Sequence, residues 1–299
     1  MKKLLAIITS ALLALTLASC ATSTTTTSSS ATSSEDATPT LGAINVVSRE
    51  EGSGTRSAFI ELTGVEQKNA DGKKVDFTTE DAEITDNTSL MLTKVSTNIN
   101  AIGYVSLGSL DSSVKALNFD GAAATADNVK NGSYKLARPF NILTNDKKKL
   151  SAPAQDFVDF ILSTEGQKIV SDNHYIALEG TSAYAASGAK GDVTVAGSSS
   201  VSPLMQKLIE AYNALTPDVK VKLDTSDSGT GIKSTQDSIC DIGMASRDLK
   251  SEETGITAVK IATDGIAVIV NLQNPLASIT KDQVKDIYVG DITEWADVK

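Results

Sequence analysis

The sequence predicts an α/β fold in which strands alternate with helices around mostly parallel or mixed sheets. Short apolar runs rich in Val and Ile recur along the chain, and amphipathic helical patterns separate them. Three loops rich in Gly, Ser and Thr join such a run to the helix that follows it. Because α/β folds bind ligands at the loops after strand ends, where helices begin, we expect these loops to form the functional site.

Seven runs are predicted to be strands. The run at 44–48 leads directly into the first loop, and the run at 101–105 is expected to be buried. The others are 114–119, 134–138, 192–196, 219–223 and 266–270. Pro139 is expected to interrupt the strand at 134–138.

The helical pattern is strongest over 201–215, where seven apolar residues fall at i, i+3, i+4, i+7, i+8, i+11 and i+14. These residues are expected to be core. Ser151 and Pro153 predict the start of a second helix, whose apolar face continues to Val170. Shorter helices are predicted at 57–62 and 280–288.

The first 40 residues predict export. A basic start and an apolar stretch at 4–17 predict a signal peptide over 1–19. It ends in Leu-Ala-Ser-Cys, which resembles a bacterial lipobox with Cys20 as the lipidated, palmitate-bearing residue; the alternative is an ordinary signal peptide with an incidental cysteine. Residues 20–40 are mostly Ser, Thr and Ala and are expected to form a disordered tether. We therefore expect an extracytoplasmic lipoprotein anchored to a bacterial cell membrane.

The composition limits the partners. Lys and Arg number 27 against 37 Asp and Glu, a formal net charge of -10, which argues against nucleic acid. The chain has one histidine, His174, and its second cysteine, Cys240, lies in an apolar run, so we expect no metal site and a buried Cys240. Of the four arginines, Arg49 and Arg247 lie beside the loops, where each either binds an anion bidentately or forms a structural ion pair.

The three loops are 51–55, 197–200 and 227–231. A helix N-terminus has unpaired N–H groups and the positive end of the helix dipole, and Ser or Thr adds hydroxyl donors. Together the loops predict a small oxyanion held largely by neutral dipoles, whereas each loop alone could be a simple N-cap. Asp248 is either another cap or an acceptor that would select a protonated anion.

The same segments resemble the phosphate-binding proteins of bacterial phosphate ABC transporters. The resemblance covers 44–299 and is carried by REEGSGTR at 49–56, AIGYV at 101–105, TEGQKIV at 164–170, DVTVAGSSSVSPL at 192–204, DSGTGIK at 227–233, DIGMASRDL at 241–249 and TDGIAVIV at 263–270. It implies the two-lobed, hinged periplasmic-binding-protein fold of type II.

The order of these segments differs from that of the family, in which the segment at 192 comes first. The chain therefore resembles a circularly permuted member, with the old ends joined through 179–191. The resemblance implies a continuous lobe at 140–271 and a discontinuous lobe at 44–139 plus 272–299. The chain would cross the hinge near Pro139 and again near Asn271.

The resemblance also implies the site residues. Ser199, Ser200 and Ser228 would bind phosphate from the continuous lobe, and Arg49, Ser53, Gly54 and Thr55 from the other. Glu51 would orient the arginine. One position departs from the family pattern: Arg247 stands where the better-studied form has Asp, so either Asp248 reaches the ligand or Arg247 contacts it directly.

The implied function is capture of inorganic phosphate by a monomer that needs no cofactor and delivers the ion to an ABC permease. The alternatives are binding of another tetrahedral oxyanion, such as sulfate or molybdate, and a phosphate sensor or adhesin without transport. A secreted phosphatase would need a nucleophile with a base, or metals. His174 is remote in sequence from the loops, so no enzyme activity is expected.

Overall fold

A mixed nine-stranded sheet organises the computed structural model, which describes residues 40–299. The signal peptide, Cys20 and all of the tether except Thr40 lie outside the described residues. The α/β class is confirmed. No helix among residues 40–299 has both the length and the apolar character needed to cross a membrane.

The strands within the described residues are β1 Asn45–Arg49, β2 Glu66–Lys68, β3 Lys74–Asp76, β4 Glu83–Thr85, β5 Ala101–Ser106, β6 Val114–Ala116, β7 Asn118–Phe119, β8 Ala137–Asn145, β9 Gly191–Ser198, β10 Val219–Ser226, β11 Ile242–Ala245, β12 Ile256–Asn271 and β13 Ser278–Ile279. The helices are α1 Gly54–Thr63, α2 Thr88–Thr97, α3 Ala126–Lys130, α4 Ala152–Leu162, α5 Thr164–Asp172, α6 Ser202–Leu215, α7 Ser228–Gln236 and α8 Lys281–Val289. Short 3-10 turns occupy Leu107–Ser109 and Trp295–Asp297.

The sheet runs in the order β10-β9-β11-β8-β12-β5-β1-β4, with β6 also paired to β12. At one end β10, β9 and β11 are parallel, and at the other β5, β1 and β4 are parallel. The long antiparallel pair of β8 and β12 joins the two ends. The carboxyl ends of the two parallel groups meet, because Arg49 at the end of β1 donates from Nη2 to the Oγ of Ser199, directly after β9, at 3.0 Å.

Two large hydrophobic cores define two lobes, and a small third cluster consists of Leu143, Ile232, Ala245 and Ile256. The first is built around β1, β5 and α8, and the second around β9, α4 and α6. The β8–β12 pair belongs to both: Ala137 and Ile266 pack in or against the first core, whereas Phe140 and Ala262 pack in the second. The chain therefore passes between the cores near 137–139 and again near 263–265.

The second crossing was predicted in the wrong place. It was expected near Asn271, with 266–270 in the continuous lobe, but Ile266 and Val270 pack in the core of the discontinuous lobe. The reason is the length of β12, whose 16 residues contribute to both cores before the chain leaves the sheet.

Three predicted elements also differ from the structure. The run at 114–119 divides into β6 and β7, which pair with different strands. The helix expected over 151–170 divides into α4 and α5 at Ser163, whose backbone is extended and whose side chain caps α5. Pro139 does not interrupt β8. It pairs with Thr263 of β12 on one side, and on the other side β11 pairs only with residues 141–143, so no neighbouring strand needs the N–H that proline lacks.

The ends of the described chain lie side by side. Ala43 forms an antiparallel bridge with Glu294, and the Ile44 N–H donates to the Thr293 carbonyl at 2.7 Å. The predicted joining segment is held on the second lobe, where the Tyr184 hydroxyl donates to Asp156 at 2.6 Å. Adjacent ends at a surface are what a circular permutation requires, and the permuted order itself stays a prediction.

Candidate functional site

Hydroxyl groups from both lobes meet where α1, α2 and α6 begin. Thr55, in the first turn of α1, lies with its Oγ1 2.6 Å from Ser200 Oγ, just before α6. Thr88, the first residue of α2, lies 3.4 Å from the hydroxyl oxygens of both Ser199 and Ser200. Because the first N–H groups of each helix lack intrahelical partners, donors from several elements point into this region.

A second group of hydroxyls lies on the other side of Gly54. Ser228, the first residue of α7, accepts a hydrogen bond from the Ser246 N–H at 3.1 Å, and the two hydroxyls are 3.3 Å apart. A Cβ on Gly54 would lie 2.3 Å from Ser228 Oγ and 2.6 Å from Ser246 Oγ. Gly54 therefore allows α1 of one lobe to approach α7 of the other. We call the two groups together the hydroxyl cluster: Thr55, Thr88, Ser199, Ser200, Ser228 and Ser246.

Arg49 supplies the positive charge of the cluster. It is the last residue of β1 and is only 2% exposed, and its Nη2 donates to Ser199 Oγ at 3.0 Å. Its backbone N–H donates to the Tyr104 hydroxyl at 3.2 Å, and burial raises the pKa of Tyr104 to about 12, so this group stays a neutral phenol.

Glu50, and not Glu51, orients the arginine. The Arg49 Nε and Nη2 each donate to a carboxylate oxygen of Glu50 at 2.7 Å, a bidentate pair. Glu51 is exposed in the turn that follows. The carboxylate that holds Arg49 in this structure is therefore that of Glu50, because Glu51 lies exposed in the turn between β1 and α1.

The remaining predicted residues have capping roles. Ser53 is buried and caps α1, with its Oγ accepting the Arg56 N–H at 3.3 Å. Asp227 caps α7 by accepting from the Thr230 N–H at 2.9 Å. A backbone hydrogen bond of 3.1 Å from Gly229 to the Gly52 carbonyl joins these two loops across the lobes. The two lobes therefore meet directly around the hydroxyl cluster.

Comparisons with known proteins show the family of the chain. The model of the PBP superfamily domain matches residues 22–165 and 182–299. The chain is 52% identical over 268 residues to "Phosphate-binding protein PstS 2" of Streptococcus agalactiae serotype V, covering 89% of this chain and 91% of the relative. The chain belongs to the PstS family. The protein of the same name from Streptococcus pneumoniae serotype 4 is 45% identical over 260 residues, covering 86% of this chain and 88% of the relative.

A solved structure supports the same assignment. The phosphate-binding protein of a phosphate ABC transporter from Streptococcus pneumoniae TIGR4 matches with a TM-score of 0.68 at 45% identity, covering 86% of this chain and 100% of that one. The two-lobed fold implied by the sequence is thus the fold of this PstS-family chain.

Arg247 and Asp248 stand apart from the hydroxyl cluster. Arg247 Nη1 and Nη2 each lie 2.7 Å from a carboxylate oxygen of Glu253, and Asp248 is exposed. Burial tends to raise the pKa of Glu253, but the hydrogen bonds and charge of Arg247 outweigh it and hold that pKa below its ordinary value. Arg247 thus forms the structural ion pair that the sequence offered as one alternative, with Glu253 of its own loop as the partner.

A buried ion pair lies where the chain crosses between the lobes. Arg138 Nη2 donates to Asp264 Oδ2 at 3.1 Å, and the Ser106 hydroxyl donates to Asp264 Oδ1 at 2.9 Å. Burial raises the pKa of Asp264 to about 6, against the opposing effect of Arg138. Arg138 Nη1 also donates to the Ser246 carbonyl at 3.2 Å. This Arg138–Asp264 pair, which we call the hinge pair, is therefore connected directly to the hydroxyl cluster.

Sequence reasoning missed Thr88, Ser246 and Glu50. Thr88 follows the Asn87 cap of α2, a helix that was not predicted, although Asp-Asn-Thr-Ser at 86–89 is a recognisable capping sequence. Ser246 was overlooked inside the segment that contains Arg247. Glu50 and Glu51 are adjacent in the motif, so their position in the sequence alone could not show which of them binds Arg49.

Proposed function

We propose that the protein captures inorganic phosphate outside the membrane and delivers it to an ABC permease. The observation that carries the proposal is the hydroxyl cluster, which is buried between two lobes beside a single oriented arginine. Such a set of neutral donors and one guanidinium suits a small tetrahedral oxyanion. The names of the PstS-family relatives support phosphate as that anion.

The proposed roles follow from position. Arg49 provides a charged contact, and Glu50 holds its guanidinium in place. The remaining donors come from both lobes: Ser53, the Gly54 N–H and Thr55 from one side, and Ser199, Ser200 and Ser228 from the other. We add Thr88 and Ser246, since both lie among these groups. Arg247 and Asp248 are assigned no contact with phosphate.

Capture would couple binding to lobe closure. Donors from α1 and α2 belong to one lobe and donors from α6 and α7 to the other, so an anion contacted by both favours the closed arrangement. Within residues 40–299, two stretches of chain, in β8 and β12, pass between the cores, which suits a hinge motion.

We also propose the cellular setting. The folded part would be a monomer held outside the cell membrane by lipidated Cys20 through the Ser/Thr-rich tether, with an ABC permease as its partner. It would act as a binding protein rather than an enzyme.

Calorimetric titration of the purified protein with phosphate, sulfate and molybdate tests this function. Phosphate is expected to bind in the micromolar range or tighter. Arg49→Ala should weaken binding by about a hundredfold, because it removes a charged donor and leaves Glu50 without its partner. Lys168→Ala is the control, since Lys168 forms an exposed pair with Asp172. The proposal fails if phosphate does not bind, or if Arg49→Ala binds it as the parent does.

A further inference from the structure

Arg56 joins the two ends of the loop between β1 and α1. It lies in the first turn of α1, and its backbone N–H donates to the Oγ of Ser53 at 3.3 Å. Its side chain runs back toward the strand, where Nη1 donates to the Arg49 carbonyl at 2.7 Å. Arg49 is the last residue of β1, so one arginine fixes both the end of the strand and the start of the helix.

The peptide between Arg49 and Glu50 is held on both sides. Its carbonyl accepts from Arg56, and its N–H donates to the Thr85 carbonyl at 3.0 Å. Neighbouring side chains of an extended strand point to opposite faces, so the bidentate pair of Arg49 and Glu50 requires the chain to leave the strand conformation here. Because a peptide is planar, fixing its carbonyl and its N–H restricts the directions in which both side chains leave the chain.

Asp76 holds Arg56 in place. Its Oδ2 accepts from Arg56 Nε at 2.8 Å, and its Oδ1 accepts from the N–H and the hydroxyl of Thr78 at 2.8 and 2.6 Å. Burial tends to raise the pKa of Asp76, but the bonds from Thr78 and the charge of Arg56 outweigh it and hold that pKa below its ordinary value. Asp76 belongs to β3, which forms a separate two-stranded sheet with β2, so this hairpin supports the loop from outside the main sheet.

Arg56 itself stands apart from the hydroxyl cluster. Among residues 40–299, its side-chain hydrogen bonds go to Arg49 and Asp76. The cavity that it lines includes no member of the cluster in its lining. Its charge is balanced by Asp76 at 2.8 Å, so its main effect on a bound anion would be exerted through the loop rather than directly through its field.

We propose that Arg56 is a positioning residue for the oxyanion site, and that it acts by holding the Arg49–Glu50 peptide. With the peptide held, Glu50 binds the guanidinium bidentately and Arg49 Nη2 donates to Ser199 across the lobes. Without Arg56 the pair would sample other geometries, and an anion would have to restore the order of Arg49 as it binds. The inference rests on the proposed function, because it concerns the same site.

Side-chain NMR of the purified protein tests the positioning without any ligand. The chain has four arginines, so its spectrum of Nε–H groups contains few signals, and the signal missing in Arg49→Lys is that of Arg49. The Arg49 Nε–H donates to Glu50 at 2.7 Å, so its exchange with solvent should be slow. In Arg56→Met this exchange should become faster by about tenfold or more.

Calorimetric titration with inorganic phosphate tests the consequence for binding. Arg56→Met should weaken phosphate binding by about tenfold, and Arg56→Lys by less, because lysine can reach one of the two partners but not both. In a Glu50→Gln background, Arg56→Met should change affinity less than about twofold, since the pair that it positions is already broken. Lys74→Met is the control: it removes a positive charge from the same hairpin at an exposed site and should change neither readout.

Arg56→Met leaves Asp76 without its counter-ion, so the double variant with Asp76→Asn provides the same test without that unpaired charge. The inference is overturned if the Arg49 Nε–H exchanges in either variant as it does in the parent. It is also overturned if Arg56→Met weakens binding equally in the parent and in the Glu50→Gln background. If the parent does not bind phosphate, the proposed function fails, while the exchange of the Arg49 Nε–H still decides whether Arg56 positions it.

Discussion

At the residue scale, neighbouring side chains in this site have very different surroundings. Glu50 and Glu51 are adjacent, yet one is bound bidentately by a buried arginine and the other is exposed. Arg247 and Asp248 likewise lie beside Ser246, which belongs to the hydroxyl cluster, and neither joins it. The turn of the backbone at each loop therefore decides which of two neighbouring residues faces the cluster.

Glu50→Gln tests the assignment of the orienting carboxylate. The substitution keeps the shape but removes the charge that fixes the Arg49 guanidinium, so phosphate affinity should fall by about tenfold. Glu51→Gln is the matched control and should change affinity less than about twofold. Calorimetric titration measures both, and a larger loss in Glu51→Gln than in Glu50→Gln would restore the role to Glu51.

Asp248→Asn tests whether that carboxylate selects between anions. Asp248 is exposed and lies outside the hydroxyl cluster, so the ratio of phosphate to sulfate affinity should be unchanged. Competition titrations on the parent and the variant measure this ratio. A shift toward sulfate of tenfold or more would show that Asp248 reaches the ligand as a proton acceptor.

At the element scale, the site depends on how closely helix starts approach one another. The first turn of α1 approaches that of α7 because Gly54 has no side chain, and α2 adds Thr88 beside Arg49. The α2 contribution could not be predicted, since the run at 88–97 has a weak amphipathic pattern and no helix was assigned there. By contrast, the loops at 53–55 and 199–200 were predictable, because each has cap residues directly after a clear strand.

Gly54→Ala should obstruct this approach. The new methyl would lie within 2.6 Å of the hydroxyls of Ser228 and Ser246, so the closed arrangement should be disfavoured and phosphate binding weakened by at least about tenfold. The unliganded protein should keep its thermal stability, since alanine is the better helix former. Gly42→Ala, with no atom within 4 Å of its new Cβ, is the control. Full phosphate affinity in Gly54→Ala would show that the lobes bind without this contact.

At the scale of the whole molecule, the fold class and the two-lobed architecture were predictable from the sequence, but the lobe boundary was not. The apolar run at 266–270 suggested a short buried strand. In the structure β12 begins at Ile256 and passes from one core to the other. A hydrophobic run cannot reveal where one core ends and the next begins. The Arg138–Asp264 pair at that crossing was also not predicted, because its partners are far apart in sequence.

Asp264→Asn tests the structural importance of the hinge pair. It leaves the buried Arg138 without its counter-ion, so the free energy of unfolding should fall by about 3–5 kcal/mol. Asp172→Asn removes an exposed partner of Lys168 and should cost less than about 1 kcal/mol. Urea denaturation of each variant measures both, and equal small losses would show that the hinge pair contributes little.

A crystal structure from crystals grown with phosphate most directly tests the central claim, that the protein binds phosphate between its two lobes. The account predicts one phosphate between the lobes, contacted by Arg49 and by hydroxyls of the cluster from both sides, with Glu50 still bound to the arginine. Electron density for phosphate only outside the hydroxyl cluster, or a phosphate held by Arg247 and Asp248 instead, would contradict it.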